Sequence, residues 1–292
     1  MDDRNLLATR FEDHRGHLRA VAYRMLASHA EAEDAVQEAW LRISRAEAAD
    51  IENLRGWLTT VVARICLDLL RSRKARGEDS VAQVPDPIVS RELAPAEAHR
   101  ELADAVGLAL IIVLETLAPA ERLAFVLHDM FAMSFDAIAP IVGRTPAAAR
   151  QLASRARRRV QGAARVPDAD LGRQREVVDA FLAASQRGDL DALLVVLDPD
   201  VVLRGDRGPA AASVVRGARQ VAKGAVFGGQ RAAAAGFVEL PVLVNGAAGV
   251  VVFAGDQVFS IAAFTVAGGR IVEINVLADP DRLRRLDLSA VR

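Results

Sequence analysis

Apolar positions recur at helical spacing through the first half of the chain and at strand spacing late in the second. Residues 6–77 carry a run of helical patterns. Ser28 and Glu31 fit a capping box, the serine capping a helix start and the glutamate reaching back. Ala32, Ala35, Val36, Ala39, Trp40 and Ile43 then fall at the spacing of one buried helical face, with Glu31, Asp34, Gln37, Glu38 and Arg42 on the other. Leu54, Trp57, Leu58, Val61, Val62, Ile65 and Leu69 predict a second helix, apolar around most of its girth and therefore central to this first domain. It runs into 71–76. Gly77-Glu78-Asp79-Ser80 breaks the pattern, and Pro85, Pro87 and Pro95 make 78–96 a linker.

From 97 to 165 the pattern is helical again, with an apolar helix over 102–117, a second begun by Pro119-Ala120-Glu121 and a third over Phe135–Val142. Gly143 ends that third helix, Thr145 suits an N-cap, and Pro146 suits the first helical position, where its missing N–H costs nothing. The helix that follows runs to about Val160. The domain expected over 170–292 starts with an amphipathic helix, Arg173–Arg187, and a shorter one, Leu190–Leu197. Segments rich in β-branched residues come next: Val201–Arg204, Phe237–Asn245, Gly249–Phe253, Gln257–Val266 and Arg270–Leu277, with turns at 254–256 and 268–269. Helices followed by an antiparallel meander predict an α+β domain after two all-α domains.

A chain of 292 residues fits more than one domain, and with 52% hydrophobic and 26% charged residues it can bury cores. The longest apolar run, Ala105–Leu114, is too short to span a membrane, and Met1-Asp2-Asp3 does not start a signal peptide, so a cytoplasmic protein without a membrane partner is expected. Cys66, the single cysteine, sits in an apolar helical pattern and reads as a buried structural thiol. The net charge of -1 conceals two basic clusters, one at Arg71, Arg73, Lys74 and Arg76, the other at Arg150, Arg155, Arg157, Arg158 and Arg159.

The second cluster lies on a helix-turn-helix pattern over 134–160: short helix, glycine turn, capped helix. With Ala149, Leu152, Ala153, Ala156 and Val160 turned inward, the outward set is Arg150, Gln151, Ser154, Arg155, Arg157 and Arg158. Arginine can pair with both major-groove acceptors of guanine and glutamine with adenine. A solvated arginine-rich helix would look similar residue by residue, but basic face, cap and preceding short helix together favour DNA. Trp40 and Trp57 lie on apolar faces and read as core rather than as stacking platforms.

Residues 30–42 (AEAEDAVQEAWLR) resemble the polymerase-binding helix of sigma factor region 2. Residues 54–58 (LRGWL), leading into 66–74 (CLDLLRSRK), are similar to the part of region 2 that contacts the -10 promoter element. Residues 117–122 (LAPAER) with the 134–160 unit resemble region 4, which reads the -35 element. The order and the linker match the extracytoplasmic-function (ECF) sigma factors of RNA polymerase. That resemblance implies that Asp34, Gln37, Glu38 and Leu41 dock on the β′ clamp helices of core polymerase, with region 4 on the β flap. It implies a -10 site of Asp50, Asn53, Arg64, Arg71, Arg73 and Arg76, in which the loop before Leu54 (Asp50, Glu52, Asn53) holds an unstacked base and the arginines take phosphates. It implies a -35 site of Thr145, Arg150, Gln151, Ser154, Arg155, Arg157 and Arg158.

The C-terminal part resembles a SnoaL-like domain of the NTF2-like superfamily, on the cues 177–181, 186–193 (QRGDLDAL) and 197–201 (LDPDV) followed by the strands. That fold includes cyclases and isomerases. All five histidines precede it, as do the single cysteine and tyrosine, which leaves carboxylates such as Asp206, Glu239, Asp256 and Glu273 for proton transfer. No catalytic residue, metal or cofactor is assigned; small-ligand binding stays open. One sigma factor subgroup carries such a fused domain, which implies regulation without an obligate anti-sigma protein. Its linker, Asp-Gly-Gly-Gly and Asn-Pro-Asp motifs have imperfect counterparts here in 83–87, 206–209 and 279–283, which marks Pro85, Asp86, Pro87, Asp206, Asp279 and Asp281 as interdomain residues. The alternative is a helix-turn-helix regulator whose SnoaL-like domain binds or converts a small ligand.

Overall fold

The computed structural model describes residues 2–44, 53–76, 84–91, 107–163, 167–208 and 211–291. The chain divides into two compact bodies, one of Met1–Asp79 with Val113–Ala163 and one of Ser80–Ile112 with Ala164–Arg292.

In the first body, helices α1 (Asp2–Leu26), α2 (His29–Ile43) and α3 (Leu54–Arg76) pack on one another. Ala32, Ala35, Val36, Ala39 and Ile43 form the buried face of α2, and Leu58, Val62, Cys66 and Leu67 are buried on α3. Burial pushes the Cys66 thiol up to about 12, so it stays protonated and inert. Ser28 caps α2 by accepting from the Glu31 amide. The reciprocal half of the expected capping box is replaced: the Glu31 carboxylate forms an ion pair with Arg73 of α3. The remaining helices of this body begin with the end of α4 (Leu108–Glu115) and continue through α5 (Pro119–Phe125), a π-helical turn (Val126–Met130), α6 (Phe135–Val142) and α7 (Pro146–Ala163). Arg122 of α5, only 4% exposed, donates to the Leu114 carbonyl at 2.7 Å and to the Met25 carbonyl of α1 at 2.7 Å. A buried guanidinium thus bonds the last turns of two helices whose carbonyls have no partner within their own helix.

The second body is the expected α+β domain, built on a seven-stranded sheet in the order β1-β4-β5-β6-β7-β2-β3. Its strands are β1 (Val89–Ser90), β2 (Leu197–Asp206), β3 (Ser213–Arg216), β4 (Val238–Val244), β5 (Ala247–Ala254), β6 (Gln257–Ala267) and β7 (Arg270–Leu277). β4 to β7 form the antiparallel meander read from the sequence, but β2 joins β7 in parallel, with Leu203 opposite Ile274. Helices α8 (Leu171–Arg187), α9 (Leu190–Val196) and α10 (Ala218–Ala234) share one core with one sheet face, through Val178, Phe181, Leu193, Val221, Val250 and Phe264. The opposite face holds a second core: Val242, Val244, Val251, Ile261 and Leu277 from the sheet, Val84 and Val89 from the linker, and Leu108 and Ile112 from the start of α4. Leu283 of the short α11 (Pro280–Leu283) completes it with Leu288 and Val291.

Helix α10 and strands β1 and β3 were not expected from the sequence. α10 forms despite the low helix propensity of Gly224, Gly228 and Gly229, and Gly229 serves a close approach: a Cβ there would lie 2.8 Å from backbone and side-chain carbons of Ser185 on α8.

Candidate nucleic-acid and polymerase interface

On α2, Asp34, Gln37 and Leu41 are exposed, and Glu38 is half-buried and bonded by Arg42 at 2.8 Å. Leu41 is 45% exposed, whereas Ala32, Ala35, Val36, Ala39 and Ile43 on this helix are buried. Beside Gln37 a cleft of about 190 Å³ is lined by Phe11, Val36 and Trp40, with the Phe11 and Trp40 rings 5.0 Å apart. Trp40 and Trp57 are both half-buried.

Of the residues implied for the -10 site, Asp50 lies outside the described residues, as does Glu52. Asn53 caps α3, its side-chain oxygen accepting from the Gly56 amide at 2.9 Å. Arg64 and Arg71 are exposed, and Arg71 makes a loose pair with Asp68 at 3.8 Å. Arg76 donates to Ser72 at 2.6 Å. Arg73 departs from the expectation: it ties α3 to Glu31 and to the Leu26 carbonyl, so its guanidinium is held inside the body rather than offered to a phosphate. The sequence reading missed a neighbouring polar cluster. Arg55 donates to His17 Nδ1 at 3.0 Å, and the Thr59 hydroxyl donates to the Arg55 carbonyl at 2.7 Å. Thr59 Oγ1 is thereby left to accept from His17 Nε2 at 3.0 Å, which fixes the neutral tautomer. Burial, followed by Arg55, His14 and Arg24, lowers His17 to about 4.

The helix-turn-helix has the expected local chemistry. Ser134 caps α6, Gly143 ends it at φ 67°, and Thr145 Oγ1 accepts from the Ala148 amide at 3.2 Å at the start of α7. Ala149, Ala153 and Ala156 are fully buried; Arg150, Gln151, Arg155 and Arg158 are exposed and Ser154 is half-buried. Arg157 departs from the outward set: its Nε donates to Asp129 of the π-helical turn at 2.9 Å. Arg159 likewise pairs with Glu121 at 3.2 Å. Sequence distance hid both acids, 28 and 38 residues upstream. Arg155, Arg158 and Arg159 line a groove of about 260 Å³ with Glu121.

In the second body, the residues marked as interdomain converge on Arg282, which the sequence reading passed over although it stands in the quoted 279–283 motif. Val84, Pro85, Asp86 and Pro87 are all buried. The Arg282 guanidinium donates from Nε to Asp86 at 3.0 Å, from Nη1 to Asp206 at 2.6 Å and from Nη2 to the Val84 carbonyl at 2.6 Å. Asp206, 3% exposed, also accepts from the Val84 amide at 3.1 Å. Asp279 caps α11, accepting from the Asp281 amide at 2.9 Å. Asp281 stands apart from this network, exposed and paired with Arg284. Next along the strap, Ile88 and Asn245 exchange two hydrogen bonds, at 2.8 and 3.0 Å.

Of the other carboxylates weighed for proton transfer, Asp256 lies exposed in the turn after β5, and the remaining two are engaged. Glu273 pairs with Arg204 at 2.6 Å, and Glu239 accepts from Gln186 at 3.0 Å while burial raises its carboxyl. Among the described residues no group of three or more His, Cys, Asp and Glu is placed to hold a metal ion, and no helix is long and apolar enough to cross a membrane.

Sigma-70 region 2 matches residues 10–76, and sigma-70 region 4 matches 108–160. A probable ECF RNA polymerase sigma factor, SigI of Mycobacterium tuberculosis, is 36% identical over 97% of each chain. The chain belongs to the ECF RNA polymerase sigma factors. SigJ of the same organism is 40% identical over 93% of this sigma factor and 91% of SigJ, and the SigJ crystal structure superposes with a TM-score of 0.75 at 37% identity, covering 96% and 99% of the two chains. The helical regions and the α+β domain therefore recur together in a relative. As a sigma factor it binds core RNA polymerase and promoter DNA and directs the initiation of transcription.

Proposed function

We propose that this sigma factor reads the -35 element with α7, holds the -10 strand with the start of α3 and its exposed arginines, and docks on the β′ clamp through Asp34, Gln37, Glu38 and Leu41. In the same reading region 4 meets the β flap, and the NTF2-like domain sets activity by gripping the linker, in place of an obligate anti-sigma protein. The grip carries the regulatory part. Regions 2 and 4 are joined through residues 77–107, and residues 84–87 of that tether are buried in the NTF2-like domain around Arg282. Whatever releases the strap lengthens the free tether between the two DNA-reading regions, and loop-closure entropy changes with it. The domain acts by holding chain rather than by turning over a substrate: Asp206, a carboxylate available for chemistry, is spent on the strap.

The test is run-off transcription with core polymerase and three forms: the full chain, Arg282→Ala, and a chain ending at Val166. Specific transcripts whose yield differs between the full chain and both altered forms support the proposal. Equal yields from all three remove the regulatory role of the strap.

A further inference from the structure

Resting on the -35 reading above, we infer that Phe135, backed by His128, is a positioning residue that fixes Arg150 as the base-reading arginine of α7. The arginines of this helix are not equivalent. Arg157 is held by Asp129 and Arg159 by Glu121. Arg155 and Arg158 line an open groove, as phosphate-binding side chains would. Arg150 is in the second turn of α7, at the N-terminal end from which a recognition helix reaches base edges. Its guanidinium lies 5.3 Å from the centroid of the Phe135 ring, within the range of about 6 Å for a cation–π contact. The Phe135 ring in turn stacks on His128, with centroids 3.9 Å apart and planes 28° from parallel, and His128 Nδ1 lies 3.0 Å from the Met133 carbonyl.

Phe135 is not where core packing would put a phenylalanine. It stands at the first position of α6 and is half-buried, while Ile138, Ala139, Ile141 and Val142 fill the interior. What the ring does instead is restrict a long side chain that would otherwise lose its rotamer freedom on meeting DNA. A planar guanidinium oriented in this way suits the N7 and O6 acceptors of a guanine.

The test measures binding of the full chain with core polymerase to promoter fragments carrying every single-base change across the -35 element, at several salt concentrations. Wild type should prefer guanine at one position by about tenfold or more, and Arg150→Lys, which keeps the charge and loses the fork, should flatten that position. Phe135→Leu should flatten the same position, with an unchanged salt slope and the other positions unaltered, and Phe135→Tyr should restore the preference. If Phe135→Leu weakens every fragment alike and leaves the guanine preference intact, the ring is packing only and the inference fails. A melting curve for each variant separates that outcome from misfolding, and Phe135→Met, which keeps the bulk and loses the ring face, carries the test if the leucine variant does not fold. A wild type with no base preference anywhere in the element overturns the -35 reading itself.

Discussion

Arg150 on α7 and Arg282 on α11 have the same side chain in opposite situations. Arg282 is enclosed, with two carboxylates and a carbonyl around it, whereas Arg150 is exposed and has an aromatic ring under it. A buried charge must be matched within the fold, because an unmatched one loses its hydration without return. An exposed charge without an acid partner is stable only in water, and is available to a polyanion. The same contrast sorts the rest of α7, where Arg157 and Arg159 each have an acid partner, Asp129 and Glu121, while Arg155 and Arg158 have none among the described contacts.

The sharpest way to break the contrast is at α2, whose outer face carries the acids Asp34 and Glu38. Asp34→Lys with Glu38→Lys should abolish run-off transcription while leaving promoter DNA affinity within a few-fold of wild type, because neither residue supports the core. Loss of DNA affinity in parallel would place this face on DNA instead.

Next in size is Arg282→Ala. Removing Arg282 takes from Asp86 and Asp206 the cation they share, and breaking a buried pair in this way costs about 3–5 kcal/mol. Chemical unfolding should show the loss, and adding Asp86→Asn and Asp206→Asn should recover part of it. A variant as stable as the parent would mean that water already solvates the pair.

These two cases also mark how far the sequence could be read. The helices of regions 2 and 4 were legible because their apolar spacing and caps are local: Thr145, Gly143 and the Ala149/Ala153/Ala156 face all act within a turn or two. The strap was legible only as a set of motif remnants, since the partner of Asp86 lies 196 residues away and no local pattern announces it. The acid partners of Arg157 and Arg73 were illegible for the same reason, being remote in sequence. Helix α10 was hidden by its own glycines, whose purpose becomes visible only when Ser185 is placed against Gly229.

His17 offers a titratable version of the buried case. Its folded value of about 4 lies below the ordinary 6.5, so between those values the unfolded chain takes up a proton that the folded chain refuses. The stability associated with neutral His17 is therefore complete above pH 6.5 and declines as pH falls from 6.5 towards 4. The slope has a ceiling of about 1.4 kcal/mol per pH unit, lowered by solvent screening at this half-buried site. Unfolding curves at pH 7 and pH 5 should show His17→Gln losing less stability over that interval than wild type. Equal losses would mean that His17 is hydrated enough to protonate in place.

The smallest expected effect tests the exposed side. Asp129→Ala should release Arg157 from its only acid partner among the described contacts, adding a free cation to α7. One more phosphate contact steepens the dependence of log affinity on log salt by about 0.9. The increment should be the same on promoter and on unrelated DNA, because a released arginine near the middle of α7 adds charge without adding a base contact. Arg155→Ala should do the reverse, flattening the slope by a similar amount. If Asp129→Ala leaves the slope unchanged, Arg157 is satisfied by solvent once freed and the acid serves only to anchor α7 to the π-helical turn. If it sharpens preference for one base, then Arg157 rather than Arg150 carries the reading, and the stacked ring beneath Arg150 has another purpose.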